Sequence, residues 1–433
     1  MNQPAAAPGG TVDYLPLYRR CRILTFALTW LAYAAYYLCR TNYSIVKGAV
    51  AAEFGFDTLR LGTIDTAYLT LYAVGQFVNG VVGDRIGGRL LVASGLFATA
   101  ALNLTFGLGG GYTLFLVAYA LNGWAQSAGW PGCAKSVAQW YAVQERGTVM
   151  GFWCTCYQVG SVGSAFLATW LLVHHGWRMA WIVPAVAVGA YALVFLRFQC
   201  KSPEGEGLPD VETYVAARSG RAPVQTPDAS DRGSWRDTLV VLRSREIWTL
   251  GLTYVFLKFV RYSFLFWLPF YMARVLGYKA GEAGYTSVVF DLAGIGGAVF
   301  AGVISDRMFH GRRAPIVVVM MSLLAVAAYF YGSVSALGRV PNIAAIAVIG
   351  FLIYGPDTVA SGAGSVDFGT KRAAAAAAGF VNGLGSIGAA FSGVAIGYVS
   401  RTYGWTAVFN LFAPLSLAGA LLMATMWNSR ARA

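Results

Sequence analysis

Apolar residues in this chain do not fall into the short alternating or amphipathic runs of a soluble protein. They gather into twelve segments of roughly 20 residues, each long enough to cross a hydrocarbon core ~30 Å thick. The segments lie near 24–50, 60–83, 89–108, 111–140, 147–173, 178–198, 246–273, 283–304, 314–335, 341–362, 372–399 and 404–427. Some are longer than one crossing needs, so tilt or extension beyond the bilayer is expected. A single long polar stretch, 200–245, divides six segments from six. It carries Pro203, Pro209, Pro223 and Pro227 and seven of the 19 acidic residues. It reads as a flexible linker with a short helix along 233–244. The expected organisation is an N-terminus over 1–23, a first half over 24–199, a linker over 200–245, a second half over 246–427 and a tail over 428–433.

The two halves repeat one another. Arg40 lies well inside the first segment and Arg261 inside the seventh, 221 residues apart. After the second segment comes Gly80-Val-Val-Gly-Asp84-Arg85-Ile-Gly87-Gly-Arg89. After the eighth comes Gly302-Val-Ile-Ser-Asp306-Arg307, and the two aspartates are 222 apart. Gly176-Trp177 before the sixth segment parallels Gly404-Trp405 before the twelfth, at an offset of 228. Landmarks at nearly one offset indicate parallel repeats, which place a binding site at the midplane between the halves. The fold class is therefore an all-α membrane protein of twelve transmembrane helices in two six-helix halves.

Composition agrees: 57% of residues are apolar and 12% charged, against roughly 25% charged in soluble domains. Mean hydropathy is +0.56. The net charge of +13 invites a nucleic-acid reading, but the placement of the cations argues against it. Of 32 Lys and Arg, 21 fall on the side of the termini. Seven fall on the other: Lys47, Arg60, Arg178, Arg274, Lys279, Arg339 and Arg401. Four lie inside spans: Arg40, Lys135, Lys258 and Arg261. The threefold bias puts both termini in the cytoplasm, with a bacterial inner membrane as the expected location. Residues 1–17 lack the basic start and short apolar core of a cleaved signal, so the first span is expected to serve as its own signal. The six cysteines show neither metal spacing nor a disulfide framework. No cofactor is expected, and no Walker A sequence suggests direct ATP hydrolysis. Nothing points to an enzyme.

The Gly-x-x-x-Asp-Arg-x-Gly-x-Arg loop after the second span resembles the cytoplasmic gating motif of the major facilitator superfamily; the copy after span eight is looser. A narrower resemblance is carried by Tyr36-Tyr37-Leu-Cys-Arg40-x-Asn42, Asn122-Gly-Trp-Ala-Gln126-x-x-Gly129-Trp130-Pro131-x-Cys133, Glu145-Arg146-Gly147, Arg261-Tyr262 and Gly350-Phe-Leu-Ile-Tyr354-Gly355-Pro356. These are similar to the organophosphate:phosphate antiporter family, which includes glycerol-3-phosphate, hexose-6-phosphate and glucose-6-phosphate carriers. The resemblance implies exchange of a phosphorylated metabolite for inorganic phosphate, with Arg40 and Arg261 holding phosphate. It also implies gating roles for Asp84, Arg85, Arg89, Asp306 and Arg307. The chain departs from the glycerol-3-phosphate carriers at Gln76 (lysine there), Tyr157 (histidine) and Lys258 (tyrosine). One cation has moved from span two to span seven, which tilts the expected substrate toward a sugar phosphate. Some members of the family are sensors that signal through a kinase, so a sensor of external sugar phosphate is the alternative. A carrier of another organic anion is the third reading.

A buried cation in a span costs about 2.5–3.5 kcal/mol on insertion scales, so it faces a partner or water rather than lipid. Arginine suits a phosphate monoester because its planar fork binds oxygens bidentately. The competing reading pairs Arg40 or Arg261 with Asp291, Asp357 or Asp65. Lys258 shares a face with Arg261. It is read as a third phosphate contact, a sugar contact or a partner of Asp291. Asp291 would offset charge in the empty site; Asp357 would bind sugar hydroxyls or brace its helix. Helical spacing adds Tyr36, Tyr72, Gln76, Gln126, Trp130 and Asn382 as liners, and the resemblance adds Tyr157 and Tyr354. Lys135 is expected to snorkel.

Overall fold

A computed structural model describes residues 15–142, 149–150, 152–211, 213–214, 243–309, 312–363 and 374–429. All regular structure among them is helical. The first half holds α1 (Leu15–Leu38), α2 (Asn42–Phe54), α3 (Thr58–Ile86), α4 (Gly88–Leu108), α5 (Tyr112–Gln126), α6 (Gly129–Trp140), α7 (Thr155–His175) and α8 (Met179–Phe198). The second holds α9 (Arg245–Arg274), α10 (Ala280–Arg307), α11 (Ala314–Ala336), α12 (Arg339–Thr358) and α13 (Ala374–Ala424). Span one is α1 plus α2, broken at 39–41, and span four is α5 plus α6, broken at 127–128. Span ten ends in a π-helical turn, Val359–Ala363. At ~1.5 Å per residue, the 51 residues of α13 are too long for one crossing, and they bend at Gly404 into spans eleven and twelve.

Seven stretches among the described residues are long and apolar enough to cross a membrane by themselves, the last of them Gly379–Ala424. The helices that flank Arg40 and those that carry Asp65 and Lys258–Arg261 are not among the seven; α2, α5 and α6 are each too short to cross alone. Helix α1 begins at Leu15, earlier than the apolar run, so it extends past the expected edge at 24.

The turns carry the repeat more plainly than the helices. Gly55 and Gly277, Gly111 and Gly338, and Gly176 and Gly404 all have positive φ and lie 222, 227 and 228 residues apart. Gly176 (φ 85°, ψ 167°) and Gly404 (φ 81°, ψ 175°) adopt nearly one conformation, and one reserved for glycine because any Cβ would clash with the backbone. All six lie at the end of the molecule away from the chain start, here called the far end.

At that end the halves are tied together. Thr58 Oγ1 donates to the Gly397 carbonyl (2.9 Å), Thr66 Oγ1 to Ala390 (2.9 Å), and Arg274 Nη2 to Gly48 (2.9 Å). Arg401 pairs with Asp57 at 2.8 Å. Among the described residues, every hydrogen bond between the halves lies at this end or at mid-depth. Within the first half, Trp177 and Arg178 bind Glu53 at 2.5 and 2.7 Å. The indole hydrogen bond first, and the guanidinium with it, hold the Glu53 carboxyl below the usual range.

The start of the linker packs against the first half. Leu208, Val211 and Tyr214 are buried, and Tyr214 stacks on Tyr18 with centroids 3.9 Å apart. Trp140 Nε1 donates to the Lys201 carbonyl at 2.6 Å. The segment folds back on the first half because its three apolar side chains find an aromatic seat there. Residues 215–242, including most of the expected short helix, lie outside the described residues. Cys21 and Cys200, both unbridged, bring their sulfurs to 2.6 Å, a pairing their spacing does not announce.

Candidate substrate site

Arg40 sits in the break between α1 and α2. Neither proline nor glycine makes this break; side chains of α5 sustain it. The freed Cys39 carbonyl accepts from Asn122 Nδ2 (3.0 Å) and Gln126 Nε2 (2.8 Å), and the Arg40 carbonyl from the Tyr119 hydroxyl (2.8 Å). Irregular backbone at membrane depth persists only where such groups are satisfied. Tyr119, Asn122 and Gln126 share one face of α5 at i, i+3 and i+7. Gln126 faces both ways, since its Oε1 accepts from Arg40 Nε and from the Tyr68 hydroxyl, each at 2.9 Å. The Arg40 guanidinium lies between the rings of Tyr37 (4.6 Å) and Tyr72 (4.7 Å). No carboxylate pairs with it among the described residues, and its Nη2 is buried without a hydrogen-bond partner.

Arg261 comes from the unbroken α9. Its Nη1 holds both oxygens of Asp357, at 2.7 and 2.8 Å, and its guanidinium covers the Tyr354 ring at 4.5 Å. Tyr254, seven residues earlier on the same face, donates to Asp357 Oδ1 at 3.0 Å. The Arg261 Nε is buried and unpartnered. The structure thus realises the ion-pair reading for Arg261 in part, and not for Arg40. Lys258, one turn before Arg261, donates to Asn382 Oδ1 at 2.6 Å and lies 3.4 Å from Ser386 Oγ. Its charge is held by neutral groups, and it does not pair with Asp291.

Asp291 instead accepts from the Tyr354 hydroxyl in a short hydrogen bond and from Ser161 Oγ of the first half at 2.7 Å. A cavity of about 20 Å³ lies beside it, bounded by Thr41, Ser44, Ser161, Ser287 and Asp291. Arg40 and Arg261 lie near each other across the two halves: Tyr37, Tyr262 and Lys258 each interact electrostatically with both. Arg40, Lys258 and Arg261 are 3%, 6% and 7% exposed, so all three cations are nearly withdrawn from water.

Other expected liners divide. Tyr72, Gln126, Tyr354 and Asn382 touch the cations. Tyr157 lies at the edge, its ring 6.4 Å from Tyr37. Trp130 packs against Tyr33 and Trp153 in an aromatic cluster. Tyr36 turns away, because its hydroxyl donates to the Val92 carbonyl of α4 at 2.9 Å; it is a packing residue. Gln76 is half-buried and joins no hydrogen bond among the described residues. Tyr37, Tyr119, Tyr254 and Ser161 were not expected as site residues; the seven-residue spacings from Tyr254 to Arg261 and from Tyr119 to Gln126, and the place of Tyr37 three residues before Arg40, are signals that could have marked the first three.

Of the gating residues, the side chains of Asp84 and Asp306 lie outside the described residues, as does the Glu145-Arg146-Gly147 triplet of the family resemblance. Arg89 donates through Nε (3.1 Å) and Nη2 to the Leu196 carbonyl at the end of α8. Arg85 and Arg307 are exposed. Lys135 donates to the Gly83 carbonyl at 2.9 Å. Lys47, counted above on the outer side, is fully buried and paired with Asp65 at 2.5 Å.

Residues 29–378 match the Major Facilitator Superfamily. The chain belongs to that superfamily. It is 30% identical to the glycerol-3-phosphate transporter of Bacillus subtilis, over 96% of this chain and 94% of that protein. It is 31% identical to sugar phosphate exchanger 3 of Gallus gallus, over 90% of this chain and 89% of the relative. The fold is similar to that of a bacterial homologue of the human lysosomal transporter Spinster, with a TM-score of 0.76, 13% identity and coverage of 97% and 96%. The chain is thus an integral membrane transporter rather than an enzyme.

Proposed function

We propose that this protein exchanges a phosphorylated metabolite, a sugar phosphate or glycerol-3-phosphate, for inorganic phosphate by alternating access. One observation carries the reading. Two arginines, one from each half, lie near each other, and each keeps a buried guanidinium nitrogen without a partner. A buried donor left unsatisfied is costly, and a phosphate oxygen satisfies it with a charge-assisted bond. The whole-length similarity to carriers named for phosphate esters supports the same substrate class. Residues 24–199 and 246–427 act as the two rocking halves, with the termini in the cytoplasm of a bacterial cell.

Arg40, Lys258 and Arg261 bring like charges together, with Asp357 compensating one. Closing such a site empty would bury uncompensated charge. Either anion neutralises it and lets the halves rock, so exchange needs no separate proton site. The rings of Tyr37, Tyr72 and Tyr262 pack on the carbon skeleton. Asn382 is placed to reach hydroxyls once Lys258 turns to phosphate.

The test is counterflow in liposomes holding the purified protein. Internal unlabelled phosphate drives uptake of labelled phosphate, and a panel of phosphate esters competes. Uptake that requires internal phosphate and is blocked by an ester is the expected result. Ester binding by calorimetry without any uptake would overturn transport in favour of a sensor acting through a kinase.

A further inference from the structure

Lys47 and Asp65 lie outside the phosphate site and have no role in the exchange just described. Both are 0% exposed. Lys47 is on α2 and looks toward the second half. Asp65 is on α3. The pair is therefore neutral and carried entirely by the first half. One hydrogen bond crosses from it: Lys47 Nζ donates to the Phe266 carbonyl of α9 at 2.9 Å. This carbonyl lies next to the Leu265 carbonyl, the one that Pro269, four residues on, leaves without a helical donor. The ammonium is also enclosed by the rings of Trp267 (4.1 Å), Tyr43 (4.9 Å) and Phe266 (5.8 Å). Two of these rings belong to the second half.

Opposing this grip is a defect. Asp65 Oδ1 is buried and has no hydrogen-bond partner. In the closed arrangement the pair is thus under-satisfied. When the far end parts, water can reach Asp65 Oδ1 and can replace the Phe266 carbonyl on Lys47. Closure gains the ammonium–carbonyl bond and the ring contacts; opening gains hydration of an ion pair, which is expensive to keep dry. A pair of apolar residues would hold the halves together without that return pull.

We propose that Lys47 and Asp65 form the latch of the far mouth, a neutral ion pair that grips the second half through the Phe266 carbonyl and releases it to water. The proposal rests on alternating access, and the test separates the two. Hydrogen–deuterium exchange of the full chain is followed by mass spectrometry, with peptides covering 42–62 and 262–284 reporting the far mouth.

In Lys47→Met the Asp65 charge is left alone in the closed form, so far-mouth uptake rises. In Lys47→Met/Asp65→Leu an apolar pair replaces the ions, so uptake falls below that of the unaltered protein. Phosphate exchange slows by about tenfold in both, for opposite reasons. Opposite movements of the single and double variants support the latch. Movement in one direction, or none, overturns it. Should the single variant fail to fold, the double variant decides alone, and uptake at or above the unaltered level rejects the latch. Inorganic phosphate added to the unaltered protein is the control. A response there with no shift in the variants sinks only the latch. A shift in the variants with no response to phosphate sinks only the phosphate reading.

Discussion

Asp357 is the resident counter-ion of Arg261, and replacing it with asparagine tests what the pair does. The two Nη1–oxygen contacts of 2.7 and 2.8 Å put the charge centres about 4 Å apart. At an effective dielectric of about 20 the attraction is then about 4 kcal/mol. Arg261 and Asp357 are 7% and 2% exposed, so solvent screens little of it. Asp357→Asn keeps one acceptor oxygen and removes the charge. The empty protein loses compensation for a buried cation, and removing one member of a buried pair typically costs about 3–5 kcal/mol. Phosphate can supply the missing charge. An anion that recovers half of the lost attraction gains about 2 kcal/mol, or roughly thirtyfold in affinity. The expected result is a lower unfolding temperature without phosphate, a larger rise when phosphate is added, and tighter phosphate binding by titration calorimetry. Exchange in liposomes slows, because release slows. Weaker phosphate binding in Asp357→Asn would refute the reasoning and make Asp357 a positioner of Arg261 rather than a competitor of the substrate.

Three further outcomes are expected. Arg40→Lys and Arg261→Lys should each abolish most exchange while leaving the protein folded, because an ammonium cannot reproduce the bidentate fork; near-normal counterflow in either would sink the paired-arginine site. Gln126→Leu should lower stability by about 1–3 kcal/mol and abolish exchange, since it strips Arg40 Nε of its acceptor and the Cys39 carbonyl of a donor; an unchanged unfolding temperature contradicts this account of the helix break. The Glu53 carboxyl is depressed by Trp177 and Arg178, so its contribution is present above the ordinary carboxylate range and is lost as pH falls through its lowered value. The stability difference between the unaltered protein and Glu53→Gln should therefore be flat at neutral pH and vanish in acid; a difference that grows on acidification has the wrong sign.

The spans and the repeat were legible because each depends on local composition. A run of apolar residues must meet lipid or a neighbouring helix, and it announces itself at any position. The Gly-Trp pairs recur because the same turn leads into the last span of each half. The charges were legible as a set and not as a network. Arg261, Asp357, Asp291, Asp65 and Lys258 could be named as mutual partners, but the choice among them depends on which helix faces meet. Asp65 went to Lys47, which had been placed outside the membrane because it sits near the end of an apolar run. The break at Arg40 was invisible for a related reason. Nothing in Cys39-Arg40-Thr41 forbids a helix, and the groups that hold the break open come from α5, more than 75 residues away.

How the far end closes leads to a last prediction. Helices α3 and α13 meet there backbone to backbone. A Cβ on Gly62 would overlap the Gly393 carbonyl oxygen, one on Gly393 would lie 2.6 Å from the Gly62 oxygen, and one on Gly397 would overlap the Thr58 carbonyl. The hydrogen bonds from Thr58 to Gly397 and from Thr66 to Ala390 span the same seam, so they form only while the backbones touch. Gly62→Ala should push the helices apart, break these bonds and leave the far mouth open. Exchange would then slow because one of the two closed forms has become costly. The proper control is Gly163→Ala in the same half, where an added Cβ meets nothing within 4 Å. Alanine there favours the helix by up to about 1 kcal/mol, so that variant should be at least as stable and transport normally. Protection of the α3 and α13 amides from deuterium should fall in the first variant and hold in the second. Equal behaviour of the two would mean that the seam is ordinary helix packing and that closure of the far end depends on other contacts.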